Sequence, residues 1–188
     1  MKRTFDILFS LLFLIIFSPL MGIISIFIFL EDKNNPLFLQ TRGGLKGRHF
    51  KIIKFRTMKV NAENMGAKYK VSKNDNRITK TGKILRSTSL DELPQFINVL
   101  KGDMSVVGPR PALTVQTDKY TEYEKQRLDV RPGITGLAQV NGRNNLTWDQ
   151  KIKIDIEYVN NRSLILDFYI IFLTILKIFR PDNIYTKE

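Results

Sequence analysis

The first thirty residues carry the strongest hydrophobic pattern in the chain. From Ile7 to Leu30, 24 consecutive residues carry no charge, and Lys2 and Arg3 precede them. As a straight helix this run would be about 36 Å long, enough to cross the core of a bilayer. A cleaved signal peptide is the alternative, but the run is long for one and no small-residue cleavage site follows it. The pattern therefore favours a membrane helix.

Two features argue against a plain crossing of the membrane. Ser18-Pro19 lies at the midpoint of the run, where proline removes a backbone donor and clashes with the preceding turn. Both flanks are basic, since residues 31–188 hold 28 Lys and Arg against 17 Asp and Glu. A helix that enters, breaks at Ser18-Pro19 and returns would keep both flanks on the cytoplasmic side. From these residues alone, a proline-kinked crossing is as good an interpretation.

Residues 31–188 read as one compact domain without repeats or low-complexity tracts. Two apolar segments, 36–40 and 50–55, resemble strands, and the glycine-rich turn between them suggests a hairpin. Residues 59–77 are polar without a clear period, which predicts a loop with a short helix.

Helical periodicity dominates the second half of the chain. It predicts a helical segment over 81–101 that stops at Gly102, a solvated helix over 115–129, and a helix over 147–160 opened by a capping box at Thr147. Alternating isoleucines at 152, 154 and 156 leave a strand open in the last of these.

Residues 164–179 are apolar nearly all round, with one polar stripe formed by Asp167, Thr174 and Lys177. Sixteen residues are few for a membrane crossing, so the segment is either a core helix or an interfacial helix in the headgroup plane. Arg180-Pro181 is predicted to end it.

Composition narrows the function. The chain has 188 residues, no cysteine, one histidine and a net charge of +12. Disulfides and thiolate metal sites are thereby excluded, and a histidine-built zinc site is disfavoured. The charge indicates an anionic partner, whether nucleic acid, an anionic membrane surface or a phosphorylated small molecule.

Asp91 and Glu92 are the candidate carboxylates for phosphate chemistry. They lie in Ser87-Thr88-Ser89-Leu90-Asp91-Glu92-Leu93-Pro94-Gln95, near a helix start, where free amides attract phosphate and keep a carboxylate ionised. A capping box in which Ser89 caps the amide of Glu92 explains the same spacing. Pro94 favours a helix start nearer Leu93.

Four arginines lie in or beside turn-rich segments: Arg86, Arg110, Arg131 and Arg143. Arg110 stands between Pro109 and Pro111, whose fixed φ angles preorganise it as a phosphate clamp. Lys54 and Arg56 alternate with apolar residues of the second predicted strand, a pattern that a half-buried strand explains better than a nucleic-acid surface.

These motifs resemble those of the bacterial sugar transferases, and more narrowly the small monotopic phosphoglycosyl transferases. The matching segments cover nearly the whole chain: Lys54-Phe55-Arg56-Thr57-Met58, Arg86 to Gln95, Asn98-Val99-Leu100-Lys101-Gly102, Met104-Ser105 with Val107-Gly108-Pro109-Arg110-Pro111, and Arg131-Pro132-Gly133-Ile134-Thr135-Gly136. The resemblance implies transfer of a sugar-1-phosphate from a UDP-sugar to undecaprenyl phosphate or another polyprenol phosphate, with release of UMP.

The resemblance also implies roles for the site residues. Asp91 would be the nucleophile that forms a phosphosugar-enzyme intermediate, Glu92 its catalytic partner, and Mg²⁺ would bridge the diphosphate and Asp91. The phosphate-binding residues would be Arg86 and Arg110, together with Arg131, Arg143, Lys54 and Arg56.

The expected fold is an α/β, mostly α, monotopic membrane protein. The resemblance implies re-entry rather than a kinked crossing: a re-entrant helix, residues 1–30, would break at Ser18-Pro19 and anchor a catalytic domain, residues 31–188, to the cytoplasmic face of the bacterial inner membrane. Interfacial helix 164–179 belongs to that domain. The sugar, assigned to segments 59–77 and 111–125, cannot be read from the sequence, and the oligomeric state stays open, a homodimer included.

Two rival classes are a non-enzymatic basic module that binds the membrane surface and a nucleic-acid binder. The first leaves the Asp91-Glu92 and Gly108-Pro109-Arg110-Pro111 motifs without a role. The second is disfavoured by the membrane segment and by the lack of a reading motif, so no nucleic-acid partner is expected.

Overall fold

A computed structural model describes residues 1–62, 65 and 75–179. Within them the helices are α1 (Lys2–Asp32), α2 (Lys80–Thr88), α3 (Gln95–Lys101), α4 (Thr114–Thr117), α5 (Glu122–Lys125), α6 (Leu137–Val140), α7 (Trp148–Asn161) and α8 (Leu164–Phe179). The strands are β1 (Leu37–Gly43), β2 (His49–Phe55), β3 (Ser105–Val107) and β4 (Gly133–Thr135). The mostly helical α/β class is confirmed. Most of the predicted loop 59–77, and Arg180-Pro181, lie outside the described residues.

The predicted hairpin is confirmed. β1 and β2 pair antiparallel, with Leu37 opposite Phe55 and Gly43 opposite His49. Ile52, Ile53 and Phe55 of β2 are buried; consecutive side chains point to opposite faces of a strand, so β2 has buried residues on both faces.

A parallel pair, β3 with β4, was not predicted. The two strands come so close that a Cβ on Gly133 would lie 2.1 Å from the backbone nitrogen of Gly108. Only glycine fits such a backbone approach. Each strand is three residues long, too short for a period of two to be visible in the sequence.

The helical segment 81–101 is not one helix, and this prediction was wrong. α2 ends at Ser89, which adopts φ 58°, and a 3₁₀ turn over Leu90–Glu92 precedes α3. Pro94 caps α3, and Gly102 ends it with φ 92°, so the predicted stop is confirmed. The chain turns a corner at the carboxylates because Ser89 leaves the right-handed region.

The long solvated helix over 115–129 was also wrong. That stretch contains α4, α5 and a 3₁₀ turn over Gln126–Leu128. Thr121 starts α5 with a capping box to Glu124, which breaks the segment at a cap that periodicity did not show. The helix opened by Thr147 is confirmed as α7, and the strand alternative there is excluded.

α1 is long and apolar enough to cross a membrane by length and composition. The expected break at Ser18-Pro19 is not an interruption, since one helix runs through Pro19. Proline has no N–H for the Ile15 carbonyl one turn earlier. The Ser18 hydroxyl donates to that carbonyl instead, at 2.9 Å, so the helix loses one backbone hydrogen bond without leaving its acceptor unpaired.

Polar side chains fix both ends of α1 to the rest of the protein. At the start, Asp6 accepts hydrogen bonds from the Ser105 hydroxyl and the Val106 amide, the latter at 3.0 Å. At the far end, the Glu31 carboxylate accepts from the first two amides of α2, Lys80 at 2.8 Å and Thr81 at 3.0 Å.

Basic residues strengthen the first of these two contacts. Lys2 donates to Asp167 of α8 at 2.6 Å, and Arg3 donates to the Val99 carbonyl of α3 at 2.7 Å. Between the two ends, Phe13 stacks on Phe96 with ring centroids 4.0 Å apart. α1 therefore lies against the same domain along its length.

α8 has one face in the core and one apolar face on the surface. Its polar stripe points inward: Asp167 is 1% exposed, and Thr174 bonds Thr135 at 2.7 Å. Ile170 is fully buried, whereas Ile165 is 82% exposed. The exposed apolar side chains favour the interfacial interpretation of this helix over a core helix.

Gly82 allows a test of how α2 meets the hairpin. A Cβ at this position would lie 2.1 Å from the Thr57 carbonyl oxygen, so Gly82→Ala should destabilise the protein by about 1–3 kcal/mol, the usual cost of overpacking. Gly22→Ala is the matched control, because nothing lies within 4 Å of its Cβ. Thermal unfolding of both variants checks this, and equal melting temperatures would contradict the contact.

Candidate active site

Glu92 lies at the centre of a charged cluster built from three separate segments. Its Oε1 accepts from Lys54 Nζ of β2 at 2.8 Å and from Arg110 Nη2 at 2.6 Å. The Glu92 side chain is 13% exposed, and that of Arg110 is 46% exposed. One carboxylate thus ties the hairpin, the corner before α3 and the Gly108-Pro109-Arg110-Pro111 loop to one point.

The capping-box interpretation of Ser89 and Glu92 was wrong. Ser89 makes no side-chain cap to this turn; its backbone carbonyl accepts from the Glu92 amide at 3.2 Å. The Glu92 carboxylate turns away to the two cations. The left-handed Ser89 therefore aims the acidic pair at the cluster instead of closing a helix end.

Charge decides the protonation of Glu92. Burial by itself would raise the pKa of its carboxyl, but the charges and hydrogen bonds of Arg110 and Lys54 outweigh burial and hold that pKa far below its usual range. Glu92 raises the pKa of Arg110 in return. Burial lowers the pKa of Lys54, against the opposing charges of Glu92 and Asp91. These contacts keep the Glu92 carboxylate ionised at neutral pH.

The Asp91 carboxylate differs from that of Glu92 in its partners and in the direction of its pKa shift. Among the described residues its carboxylate has no hydrogen-bond or ion-pair partner, and the residue is partly exposed. Burial raises the pKa of Asp91, the negative charge of Glu92 raises it further, and Lys54, Arg86 and Arg110 oppose the rise. A carboxylate without partners beside three cations is suited to attack an electrophile that carries negative charge.

Two further predicted arginines lie beside this cluster. Arg86 donates from Nε to the Thr57 hydroxyl at 2.9 Å, and its charge acts on the Asp91 pKa. Arg143 Nη2 lies 3.4 Å from the Ser89 hydroxyl at the corner before Asp91. Arg86, Arg110, Arg143 and Lys54, all predicted to bind phosphate, therefore lie close to the acidic pair or to the corner before it.

The structure does not bring Arg131 and Arg56 to the carboxylate pair. Arg131 Nε donates to the Gly102 carbonyl at 2.8 Å, at the opposite end of α3. Arg56 Nε donates to the Asn35 carbonyl at 2.8 Å, in the segment between α1 and β1. Both contacts are to backbone carbonyl groups, and the phosphate-binding role of these two arginines stays a prediction.

Arg127 is the centre of a buried hydrogen-bond network that the sequence did not predict. Arg127 pairs with Asp155, and the two side chains are 4% and 2% exposed. Arg127 also donates to the Tyr120 hydroxyl at 2.6 Å and to the Arg110 carbonyl at 3.0 Å. Partners so far apart along the chain leave no local pattern, although burial of a charge always demands a partner.

The sequence matches a known family. The family model described as "Bacterial sugar transferase" matches residues 1–181. The chain belongs to the bacterial sugar transferase family.

The chain is similar to several bacterial sugar transferases over nearly its whole length. The chain is 42% identical over 185 residues, 98% of its length, to the uncharacterized sugar transferase EpsL of Bacillus subtilis and covers 90% of that protein. It is 42% identical to the UDP-glucose:undecaprenyl-phosphate glucose-1-phosphate transferase of Caulobacter vibrioides, with 98% of the chain and 72% of the relative covered.

A third relative carries a different sugar in its name. The chain is 45% identical to the UDP-N-acetylgalactosamine-undecaprenyl-phosphate N-acetylgalactosaminephosphotransferase of Aeromonas hydrophila, with 93% of the chain covered but 42% of that relative. The sugar transferase chain thus spans nearly all of some relatives and less than half of others.

The opposite pKa shifts of the two neighbouring carboxyls predict opposite effects on stability. The raised pKa of Asp91 means that folding disfavours its charge, so Asp91→Asn should raise the melting temperature at pH 7. That gain should vanish below about pH 4, where the carboxyl is protonated in both states. The lowered pKa of Glu92 means that folding favours its charge, so Glu92→Gln should lower the melting temperature at pH 7.

The measurement is thermal unfolding of the two variants in detergent with a chelator, from pH 3.5 to 8. If the two variants shifted the melting temperature in the same direction at pH 7, folding would not disfavour the charge of Asp91 and favour that of Glu92, and the prediction would be wrong.

Proposed function

We propose that this sugar transferase moves a sugar-1-phosphate from a UDP-sugar to undecaprenyl phosphate and releases UMP. The observation that carries the proposal is the unpartnered Asp91 carboxylate beside Glu92, which two cations hold in place. The names of the relatives from Caulobacter and Aeromonas support the same donor and acceptor classes.

The reaction is a double displacement at one phosphorus atom. A carboxylate oxygen of Asp91 attacks the phosphorus that carries the sugar, and the bond from that phosphorus to the bridging oxygen breaks, so UMP leaves with the electron pair. A phosphate oxygen of the polyprenol phosphate then attacks the same phosphorus and expels Asp91. The second displacement forms the diphosphate bond of the product and frees the carboxylate.

The cations act on the charge of the donor diphosphate. Arg110 is 46% exposed, so its guanidinium can bind phosphate oxygens while keeping its bond to Glu92. Lys54 and Arg86 add positive charge near Asp91. Glu92 acts by fixing Lys54 and Arg110, both of which donate hydrogen bonds to its carboxylate.

Mg²⁺ fits this site as a substrate-borne ion. The described residues contain no group of three metal-ligating side chains, which disfavours a cage built by the protein alone. Mg²⁺ is commonly held by one or two carboxylates together with substrate phosphates. Asp91 is the carboxylate free to ligate it, and the ion would neutralise charge on the departing phosphate.

A lipid acceptor requires that the site lie at a membrane. Two apolar surfaces support this. One is the outer face of α1, with Leu8, Leu12 and Ile16 at 59–62% exposed. The other is the outer face of α8, and the two faces adjoin where Phe5 meets Phe168 with ring centroids 5.1 Å apart.

Hydrogen bonds at the two ends of α1 support a monotopic arrangement. We assign the domain to the cytoplasmic face because UDP-sugars would be met there. Both ends of α1 are hydrogen-bonded to the domain, through Asp6 at the start and Glu31 at the end. A straight crossing would place these ends on opposite sides of the bilayer, about 30 Å apart, and would break one set of bonds. We infer that α1 enters and leaves the same leaflet.

Replacing Asp91 tests the chemistry. Wild-type protein incubated with a UDP-sugar and no acceptor should gain the mass of a sugar phosphate and release one equivalent of UMP. Asp91→Asn should show neither, because the amide is not a nucleophile for phosphorus. Intact-protein mass spectrometry and a UMP assay over a panel of UDP-sugars check both results.

Lys51→Met is the matched control, since Lys51 is exposed on the same strand as Lys54 and forms no ion pair among the described residues. It should turn over like wild type. Full turnover by Asp91→Asn would reject the mechanism. Absence of UMP release with every sugar would favour the non-enzymatic membrane-surface module.

Single cysteines test the topology, because the chain has none of its own. Thr4→Cys and Lys33→Cys place thiols on exposed residues at the two ends of α1. A membrane-impermeant maleimide should label both in inside-out vesicles and neither in right-side-out vesicles. Labelling of the two positions from opposite sides would establish a crossing helix and overturn the monotopic arrangement.

A further inference from the structure

The loop that carries Arg110 is unusually poor in backbone donors. Pro109 and Pro111 have no N–H, so the loop between them is held through its carbonyl groups. The Pro109 carbonyl accepts from the Gly133 amide at 2.9 Å, and the Ala112 carbonyl accepts from the Gly43 amide at 3.1 Å. The carbonyl of Arg110 lies between these two anchors.

A buried side chain holds that carbonyl. Arg127 Nη2 donates to the Arg110 carbonyl at 3.0 Å and also pairs with Asp155 of α7. Because Arg127 is 4% exposed, water cannot readily replace this donor. Arg127 thus holds the carbonyl of the peptide that joins Arg110 to Pro111.

Arg127 is itself held on every side. Its guanidinium carbon lies 5.7 Å from the Tyr120 ring centroid and 5.4 Å from that of Trp148. Nη1 donates to the Tyr120 hydroxyl at 2.6 Å. Such a cage leaves Arg127 one arrangement, which suits a group that sets the position of another.

We propose that the buried Arg127–Asp155 pair is a positioning device for Arg110, which orients that arginine toward Glu92 and the donor phosphates. This inference rests on the proposed function. Neither residue touches Asp91 or Glu92, so their effect passes through the Arg110 peptide. Burial raises the pKa of Asp155 to about 6. The assays described below are therefore run at pH 7.5, where Asp155 is ionised.

A double-mutant cycle separates positioning from general stability. Arg127→Met/Asp155→Asn removes both charges, so neither is left buried alone. Arg110→Met removes the guanidinium that the pair is proposed to position. In the wild-type background the paired variant should lower kcat/KM for UMP release by about 10- to 100-fold, the order expected from a small displacement of a reacting group. In the Arg110→Met background the same change should cost less than about threefold, because residues that act through one another are not additive.

Assays are run on the full chain in detergent at a temperature well below the melting point of every variant. If the paired variant does not fold, Arg127→Lys takes its place in the cycle, since lysine keeps the charge but loses the fork that serves Arg110 and Asp155 together. Equal losses in both backgrounds, or no loss in either, would overturn the proposal.

Tyr120→Phe is the matched control. It removes one acceptor of Arg127 while leaving the bonds to Arg110 and Asp155, so kcat/KM should stay within about threefold of wild type. A loss as large as that of the paired variant would assign the effect to packing around the cage and overturn the proposal. If wild-type protein releases no UMP from any UDP-sugar, the proposed function itself fails, which is a different result from an additive cycle in an active enzyme.

Discussion

The contact of Glu92 with Lys54 and Arg110 is the interaction on which the site depends. It joins a strand, a corner between two helices and a proline-bounded loop. None of these segments is near another in sequence, so the geometry around Asp91 exists only when all three are in place. A buried anion between two cations is costly to break, because removal of any member leaves charge without compensation.

The same contact explains why adjacent carboxylates behave differently. Both are removed from water, but the cations are hydrogen-bonded to Glu92 alone, so the pKa of Glu92 falls and that of Asp91 rises. Asp91 is thus held in an environment that does not favour its charge. Rigid segments keep Asp91 in this unfavourable environment. They are the turn at Ser89, which has a left-handed backbone, and the loop of Arg110, which is held by its carbonyl groups.

Charged residues of the two long apolar helices, α1 and α8, are also paired. Polar residues within an apolar helix are expensive unless paired, and Asp6, Lys2 and Arg3 of α1 all find partners in the domain. Asp167 of α8 is one of these partners. Asp167 and the polar start of α1 therefore face each other, and apolar side chains of both helices stay on the surface.

Local patterns in the sequence determined the long apolar helix, the hairpin, the Gly102 stop, the Thr147 cap and the identity of the acidic pair with Arg86 and Arg110, since each has a signal within a few residues. Only the tertiary structure decided that α1 stays helical through Pro19, that Ser89 turns the chain, that Arg131 and Arg56 bind backbone away from the pair, and that Arg127 holds Arg110. The physical reason is that these outcomes depend on which buried donor meets which acceptor. A hydrogen bond between distant residues is fixed by packing, and packing has no period in the sequence.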